Sequence, residues 1–225
     1  MARPLNREKG KTRTLVLHSA TKLFIEKGYT NTRIKDIADD SGVGYNEIFR
    51  MFVDKDNLLS HLVNLVIEHQ FEKSIEYLKE QSEDKLLLYI FECVLQLYIC
   101  EINDNIREMY AVSYSMPSTS HKIYDYITEK LENVFHKYLP EYETKDFYEL
   151  EIASAGIMRG YIINPCNMYF TIERKIAKFL ETSLKIYEVP HEKINEAISF
   201  VNQFDMKSLA KEVLDTLFEY ISNRT

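Results

Sequence analysis

The sequence predicts an all-α protein, with an N-terminal three-helix head at residues 1–60 and a larger helical body at residues 61–225. Three observations carry this expectation. Five prolines and six glycines in 225 residues leave few helix breakers. Apolar side chains recur at helical spacing along most of the chain. Hydrophobic residues make up 45% of the total, enough for a real core and too many for disorder.

In the head, Leu15, Ala20, Leu23 and Phe24 read as one face of a helix beginning near Thr14, with Lys22 and Glu26 opposite. Gly28 suits its C-terminal cap. The Thr32 hydroxyl is expected to cap a second helix, Arg33 to Ser41, that turns Ile34, Ile37 and Ala38 inward. Gly42 permits the positive φ of a tight turn, and Val43 plugs the corner. A third helix, about Tyr45 to Phe52, buries Ile48 and Phe52 and leaves Tyr45, Asn46, Glu47, Phe49 and Arg50 outside. Two short helices joined through glycine, the second presenting polar and aromatic groups, match the geometry that enters a DNA major groove. Asn and Arg can pair with base edges, and Glu can accept from cytosine. Lys55 opens the next helix, where its ammonium and the backbone N–H groups could grip a phosphate.

Charge is divided in the same sense. Residues 1–60 hold 11 Lys and Arg against 8 Asp and Glu, a net of +3, whereas the remainder holds 17 against 27, a net of −10. Before Thr14 stand Arg3, Arg7, Lys9, Lys11 and Arg13 against Glu8 alone. A basic end on an acidic body offers one surface to phosphates; a solvated basic tail is the plainer alternative.

The run from Ile37 to Leu59, IADDSGVGYNEIFRMFVDKDNLL, resembles the signature of the TetR (tetracycline-repressor) family, and Ala20, Phe24, Gly28, Tyr29 and Thr32 fall where that family places similar residues. The resemblance implies a dimeric regulator that binds double-stranded DNA. It implies phosphate contacts from Thr32 and Lys55, and base or backbone contacts from Lys35 and from Tyr45 to Glu47. Arg33, Gly44, Phe49 and Arg50 complete the expected DNA-facing set. Phe49 stands where the family usually has a phosphate-binding tyrosine, Met51 replaces a histidine or tyrosine, Asn46 a glycine or proline, and Gly44 a capping serine or threonine. These departures imply an unusual operator.

The body reads as eight further helices, the first unbroken from Asp56 to about Gln81. The segment Glu83–Asn103 is apolar nearly all round, with one polar stripe of Lys85, Glu92, Gln96 and Asn103 that suits either solvent contact or pocket polarity. Helices are expected at about 105–114, 120–138 and 145–163, with Pro117, Pro140 and Pro165 at breaks. The body holds 14 of the 16 tyrosines; Tyr89, Tyr98, Tyr110 and Tyr114 are the candidates for a pocket taking a small-molecule effector, against ordinary core packing. Ala153, Gly156 and Gly160 form a small-residue strip, and Thr171 opens a helix carrying Ile176, Phe179, Leu180 and Leu184 on one face. Two such helices meeting their symmetry mates would form a four-helix interface, and the family resemblance implies pairing of the late helices in this way, so residues 147–188 are the expected homodimer interface, with packing inside one chain as the alternative. Final helices at about 190–203 and 206–222 close the body.

Other functions find little support. The six histidines lack metal-binding or acid–base spacing, and no phosphate loop or nucleophile elbow occurs, so neither an enzyme nor a cofactor or metal is expected. Cys93 and Cys100 lie two turns apart on one helix, too far to bridge. Three cysteines suit a reducing cytoplasm. The opening MARPLNREKGKTRT has no apolar stretch, and the run Leu86 to Cys100 falls short of the roughly 20 residues of a membrane span.

Overall fold

A computed structural model describes residues 4–79 and 81–224, with side chains from Gly10 onward. Arg3 lies outside the described residues, as do the side chains of Arg7 and Lys9. The described residues form eleven α-helices: α1 (Pro4–Lys27), α2 (Ile34–Ser41), α3 (Tyr45–Phe52), α4 (Lys55–Leu78), α5 (Lys85–Cys100), α6 (Asp104–Ser113), α7 (Pro117–Phe135), α8 (Thr144–Ile162), α9 (Ile172–Ser183), α10 (His191–Val201) and α11 (Met206–Arg224). A 3-10 turn (Leu184–Tyr187) extends α9. The all-helical expectation holds. None of these helices is long and apolar enough to cross a membrane.

Two helices begin earlier than the sequence suggested. α1 starts at Pro4 rather than Thr14, so the basic segment from Pro4 onward is helical. α7 starts at Pro117, read as a break. Both prolines occupy first-turn positions, where the missing N–H has no partner to lose and φ is already helical. α1 also buries a different face. Val16, Leu17, Ala20, Leu23 and Phe24 are buried, while Leu15 is 51% exposed. At about 100° per residue the five buried positions span a narrow arc, and Leu15 falls outside it.

Thr32 is not the cap of α2. Its side chain is wholly buried, with the hydroxyl turned back toward the carbonyls of Leu23 and Gly28 at 3.2 and 2.7 Å. Arg33 is the capping residue instead, its N–H donating to Asp36 Oδ2 at 2.8 Å. At the turn, Gly42 takes φ +69° and donates to the Ala38 carbonyl. The joint between α3 and α4 is only Val53 and Asp54. Val53 has φ +59°, unusual for a β-branched residue, and is 67% exposed. Asp54 then caps α4 by accepting the Asn57 N–H at 2.7 Å.

α5 is the axis of the body. It packs against α4, α6, α7, α8, α9, α10 and α11, and its middle is buried on every side. The end of α11 returns to the head, where the Phe218 carbonyl meets His18 Nε2 at 2.9 Å. The expected boundary at residue 60 falls within α4, which starts in the head and continues as a wall of the body.

α6 ties head to body. Asn105 Nδ2 donates to the carbonyls of Ile25 and Glu26 at 3.1 and 2.9 Å, and the Thr30 N–H donates to Glu108 Oε1 at 3.1 Å. Gly28, with φ +84°, sits beneath this grip, and a Cβ there would collide with the Glu108 carboxylate. Gly28→Ala should therefore cost about 1–2 kcal/mol for the left-handed backbone alone, with a further loss from displacing Glu108. Urea unfolding should show a lower midpoint at an unchanged slope.

Candidate DNA-binding surface and core cavity

Most of the sequence-predicted DNA-facing residues lie on one exposed surface. Arg33 and Lys35 on α2 are exposed, as are Gly44, Tyr45, Asn46, Glu47, Phe49 and Arg50 at α3. α3 holds this set because Ile48 and Phe52, four residues apart, anchor its opposite face in the core. The rings of Tyr45 and Phe49 pack together with centroids 4.7 Å apart, 49% and 36% exposed. They form a small apolar ridge beside Asn46 and Arg50.

Two predicted phosphate contacts are spent differently. Thr32 is withdrawn, with its hydroxyl used inside the head. Lys55 turns its ammonium inward, donating to the carbonyls of Tyr29 and Thr32 at 2.9 and 3.1 Å and lying 4.1 Å from the Tyr29 ring centroid. Partial burial lowers its pKa. Lys55 therefore fixes the loop between α1 and α2, with one of its three N–H groups left over. The Tyr29 hydroxyl donates to Asp56, closing the same corner.

A narrow cavity lies between α4, α5, α6 and α7. Leu59, Leu62, Val63, Val66 and Ile67 of α4 form one wall, Met109, Tyr110 and Ser113 of α6 with Tyr114 the other, and Gln96 and Ile123 complete it. Its volume of about 20 Å³ leaves room for a water or two and not for a drug-sized ligand. Tyr110 and Tyr114 thus line a cavity. Tyr89 and Tyr98 do not line this one. The Tyr89 ring packs edge-on against Phe135 and Tyr187, and Tyr98 lies at the far end of α5, within electrostatic reach of Glu173 and Asp205.

The polar stripe of α5 is buried at its centre. Glu92 is 6% and Gln96 3% exposed, so the solvent-contact reading fails for both. Gln96 shares hydrogen bonds with the Tyr114 hydroxyl at 3.0–3.1 Å. Gln70 of α4 accepts from the Tyr110 hydroxyl and extends its amide to Glu92 at 3.4 Å. Sequence reasoning missed Gln70 and also Glu151 of α8. The period could have found Glu151, since it lies inside the buried arc of Phe147, Ser154, Ala155, Met158 and Ile162. Asn105 and Glu108 had no comparable signal, because their partners are backbone groups about 80 residues away in the chain.

The expected dimer face divides in two. Ile176, Phe179, Leu180 and Leu184 are 0–3% exposed and packed inside the same chain, so they cannot form an interface with a second copy. They are buried because α9 lies against α5, α8 and α10. The strip on α8 remains open. Ala153 and Gly156 are exposed, Gly160 is half-exposed, and nothing lies within 4 Å of a Cβ built at either glycine. Ile152 and Ile163, 47% and 43% exposed, lie on the same side.

Comparison with known proteins agrees with this arrangement. Residues 16–62 match the family described as bacterial regulatory proteins, tetR family. An HTH-type transcriptional regulator of Bacillus subtilis (strain 168), YvkB, is 28% identical over 121 residues, 52% of this chain and 59% of that protein's length. The HTH-type transcriptional regulator AcrR of Shigella flexneri is 28% identical over 181 residues, 72% of this chain and 80% of that one. A gamma-butyrolactone receptor (ArpA-like protein) of known crystal structure shares the fold at a TM-score of 0.50 and 14% identity, over 91% of this chain and 99% of that chain. The head, residues 16–62, thus matches the tetR family of bacterial regulatory proteins, and the all-helical chain shares the fold of that receptor.

Proposed function

We propose that the chain is a dimeric, cytoplasmic repressor that leaves its operator when a small molecule enters the cavity between α4 and α6. Residues 1–60 read double-stranded DNA, and residues 61–225 sense the ligand and dimerise. The observation that carries this reading is the double role of α6. Its first turns hold the end of α1 through Asn105 and Glu108, while its later residues line the cavity. The opposite wall is α4, whose first residue, Lys55, holds the loop of the head. A cavity with room for a water or two admits a ligand only if these walls part. Parting them disturbs both attachments of the head together.

In the DNA-bound state, the two α3 helices of a dimer would sit about 34–36 Å apart, matching successive major grooves. A ligand with higher affinity for the parted state draws the population toward it and spoils that spacing. The open strip on α8, uncharged and flanked by Ile152 and Ile163, supports a symmetric contact through small residues.

On the DNA side, Arg50 and Asn46 supply paired hydrogen bonds to base edges, and Glu47 accepts from an exocyclic amine. The Tyr45–Phe49 ridge needs an apolar counterpart. The thymine methyl is the apolar group that the major-groove edge of a base pair presents, so the ridge should sit over thymine.

Three measurements test the reading. Selection from a random duplex pool should yield a two-fold-related site, and replacing thymine by deoxyuridine under the ridge should weaken binding several-fold; unchanged affinity at every thymine rejects that contact. Lys35→Ala should lower the salt slope of binding by about 1 while weakening all duplexes equally. Gly156→Arg, placed where a side chain meets nothing within the protomer, should leave the fold intact and shift sedimentation from dimer to monomer. A purified protein that ignores every duplex at low salt overturns the repressor reading.

A further inference from the structure

Three basic side chains from three helices gather behind α3, and among the described residues no acid pairs with them. The Arg13 guanidinium of α1 lies 4.8 Å from the centroid of the Phe52 ring. The His61 ring of α4 meets the same phenyl edge-on, with centroids 5.6 Å apart. Next to His61, the Ser60 hydroxyl accepts from Lys122 Nζ of α7 at 3.0 Å and donates its own hydrogen to the Asn57 carbonyl at 2.8 Å. Phe52 and Ser60 are buried, so the floor of the cluster is fixed. Arg13, His61 and Lys122 are half-buried, so its other side opens on solvent.

Most of the donors here are unspent. A guanidinium carries five N–H groups and an ammonium three. Arg13 gives none of them to an acceptor among the described residues, and Lys122 gives one, to a neutral hydroxyl. The buried Lys175, by contrast, has the Glu101 carboxylate at 2.5 Å. Like charges drawn together without a counter-charge repel, and a bound anion removes that cost. Burial, and then the charges of Arg13 and Lys122, push His61 down to about 4, so its ring is neutral near pH 7 and keeps one N–H to donate. The cluster therefore presents two fixed positive charges and one neutral donor.

We propose that this cluster binds a phosphate dianion, free or as a small phosphate monoester, which joins α1 of the head to α4 and α7 of the body. Charge selects the ligand. Two cations match a phosphate monoester, which carries about −1.5 to −2 at pH 7, and exceed the single charge of a carboxylate or a phosphodiester. Shape agrees with charge. The planar Arg13 fork suits two phosphate oxygens, and Lys122 meets a third as a point charge. Position favours a small ligand over the operator backbone. Phe52 belongs to the face of α3 turned into the core, opposite Asn46 and Arg50, so the cations that cover it stand behind the DNA-facing set. None of the three basic residues lines the cavity between α4 and α6, so this is a separate site. A phosphate held there adds a tie between head and body to those made by Asn105 and His18.

The test uses the full chain in chloride buffer near neutral pH, with binding of phenyl phosphate followed by phosphorus NMR line width. The line should broaden saturably, and orthophosphate should compete for the same site. At matched ionic strength, the monoanionic diester dimethyl phosphate should bind roughly tenfold more weakly, and benzoate should not displace the probe. Arg13→Gln with Lys122→Gln keeps side-chain length and should lower phenyl phosphate affinity at least tenfold. Lys145→Gln removes an exposed cation elsewhere on the body and should leave that affinity unchanged. No saturable broadening, equal binding of dimethyl phosphate, displacement by benzoate, an equal loss in Lys145→Gln or an undiminished affinity in the double variant overturns the proposal. Should the double variant fail to fold, Arg13→Gln and Lys122→Gln decide singly. Duplex that the chain binds should leave the phosphate signal in place; displacement by duplex assigns the cluster to backbone phosphates and overturns the proposal too. A chain that takes phosphate and ignores every duplex keeps this site and loses the repressor reading.

Discussion

α5 sets the arrangement of the body, because its surface through the middle turns cannot face water. Leu86, Ile90, Phe91, Val94, Leu95, Leu97 and Ile99 point in all directions around it and are each 2% exposed or less. A cylinder apolar on all sides is stable only when enclosed. Seven other helices pack on it, and their order follows from the need to cover every side. Polar groups on such an axis have nowhere to go but inward. That is why Glu92 and Gln96 find partners on α4 and α6 and not in solvent.

The same enclosure explains the charged residues that hold the periphery together. Lys175 on α9 is 1% exposed and donates to Glu101 at the end of α5 and to the Asn164 carbonyl, both at 2.5 Å. Glu101 also accepts the Cys166 N–H and a contact from Arg107. One carboxylate thus joins the end of α5, α6, α9 and the loop after α8. Removing either member of the Lys175–Glu101 pair would strand a charge, which is more damaging than never having buried the pair.

The fold was legible because helical periodicity is a local property. Eleven helices could be placed from apolar spacing and breakers, and errors fell at the ends, where α1 begins ten residues before Thr14 and Pro117 opens the helix it seemed to precede as a break. The outer face of α3 was legible for the same reason, since Ile48 and Phe52 fix which residues turn outward. Choosing between two buried destinations was not legible. Ile176, Phe179, Leu180 and Leu184 look the same whether they meet their own chain or a second copy, and only the tertiary packing assigns them. Thr32 and Lys55 carried the right chemistry for phosphate, but carbonyls left open by the α1–α2 loop claimed their donors first. Such competition lies between residues up to 26 positions apart, beyond any local pattern.

The two-residue joint at Val53 and Asp54 bears on how the molecule moves. Val53 already occupies a sparsely allowed backbone region, with its N–H committed to Phe49, and Asp54 is committed to capping α4. Neither residue has spare torsional freedom, so the junction behaves as a stiff elbow and not as a swivel. A tilt that begins deep in α4 is therefore handed to α3 almost undamped, and a longer, glycine-rich connection would uncouple the two.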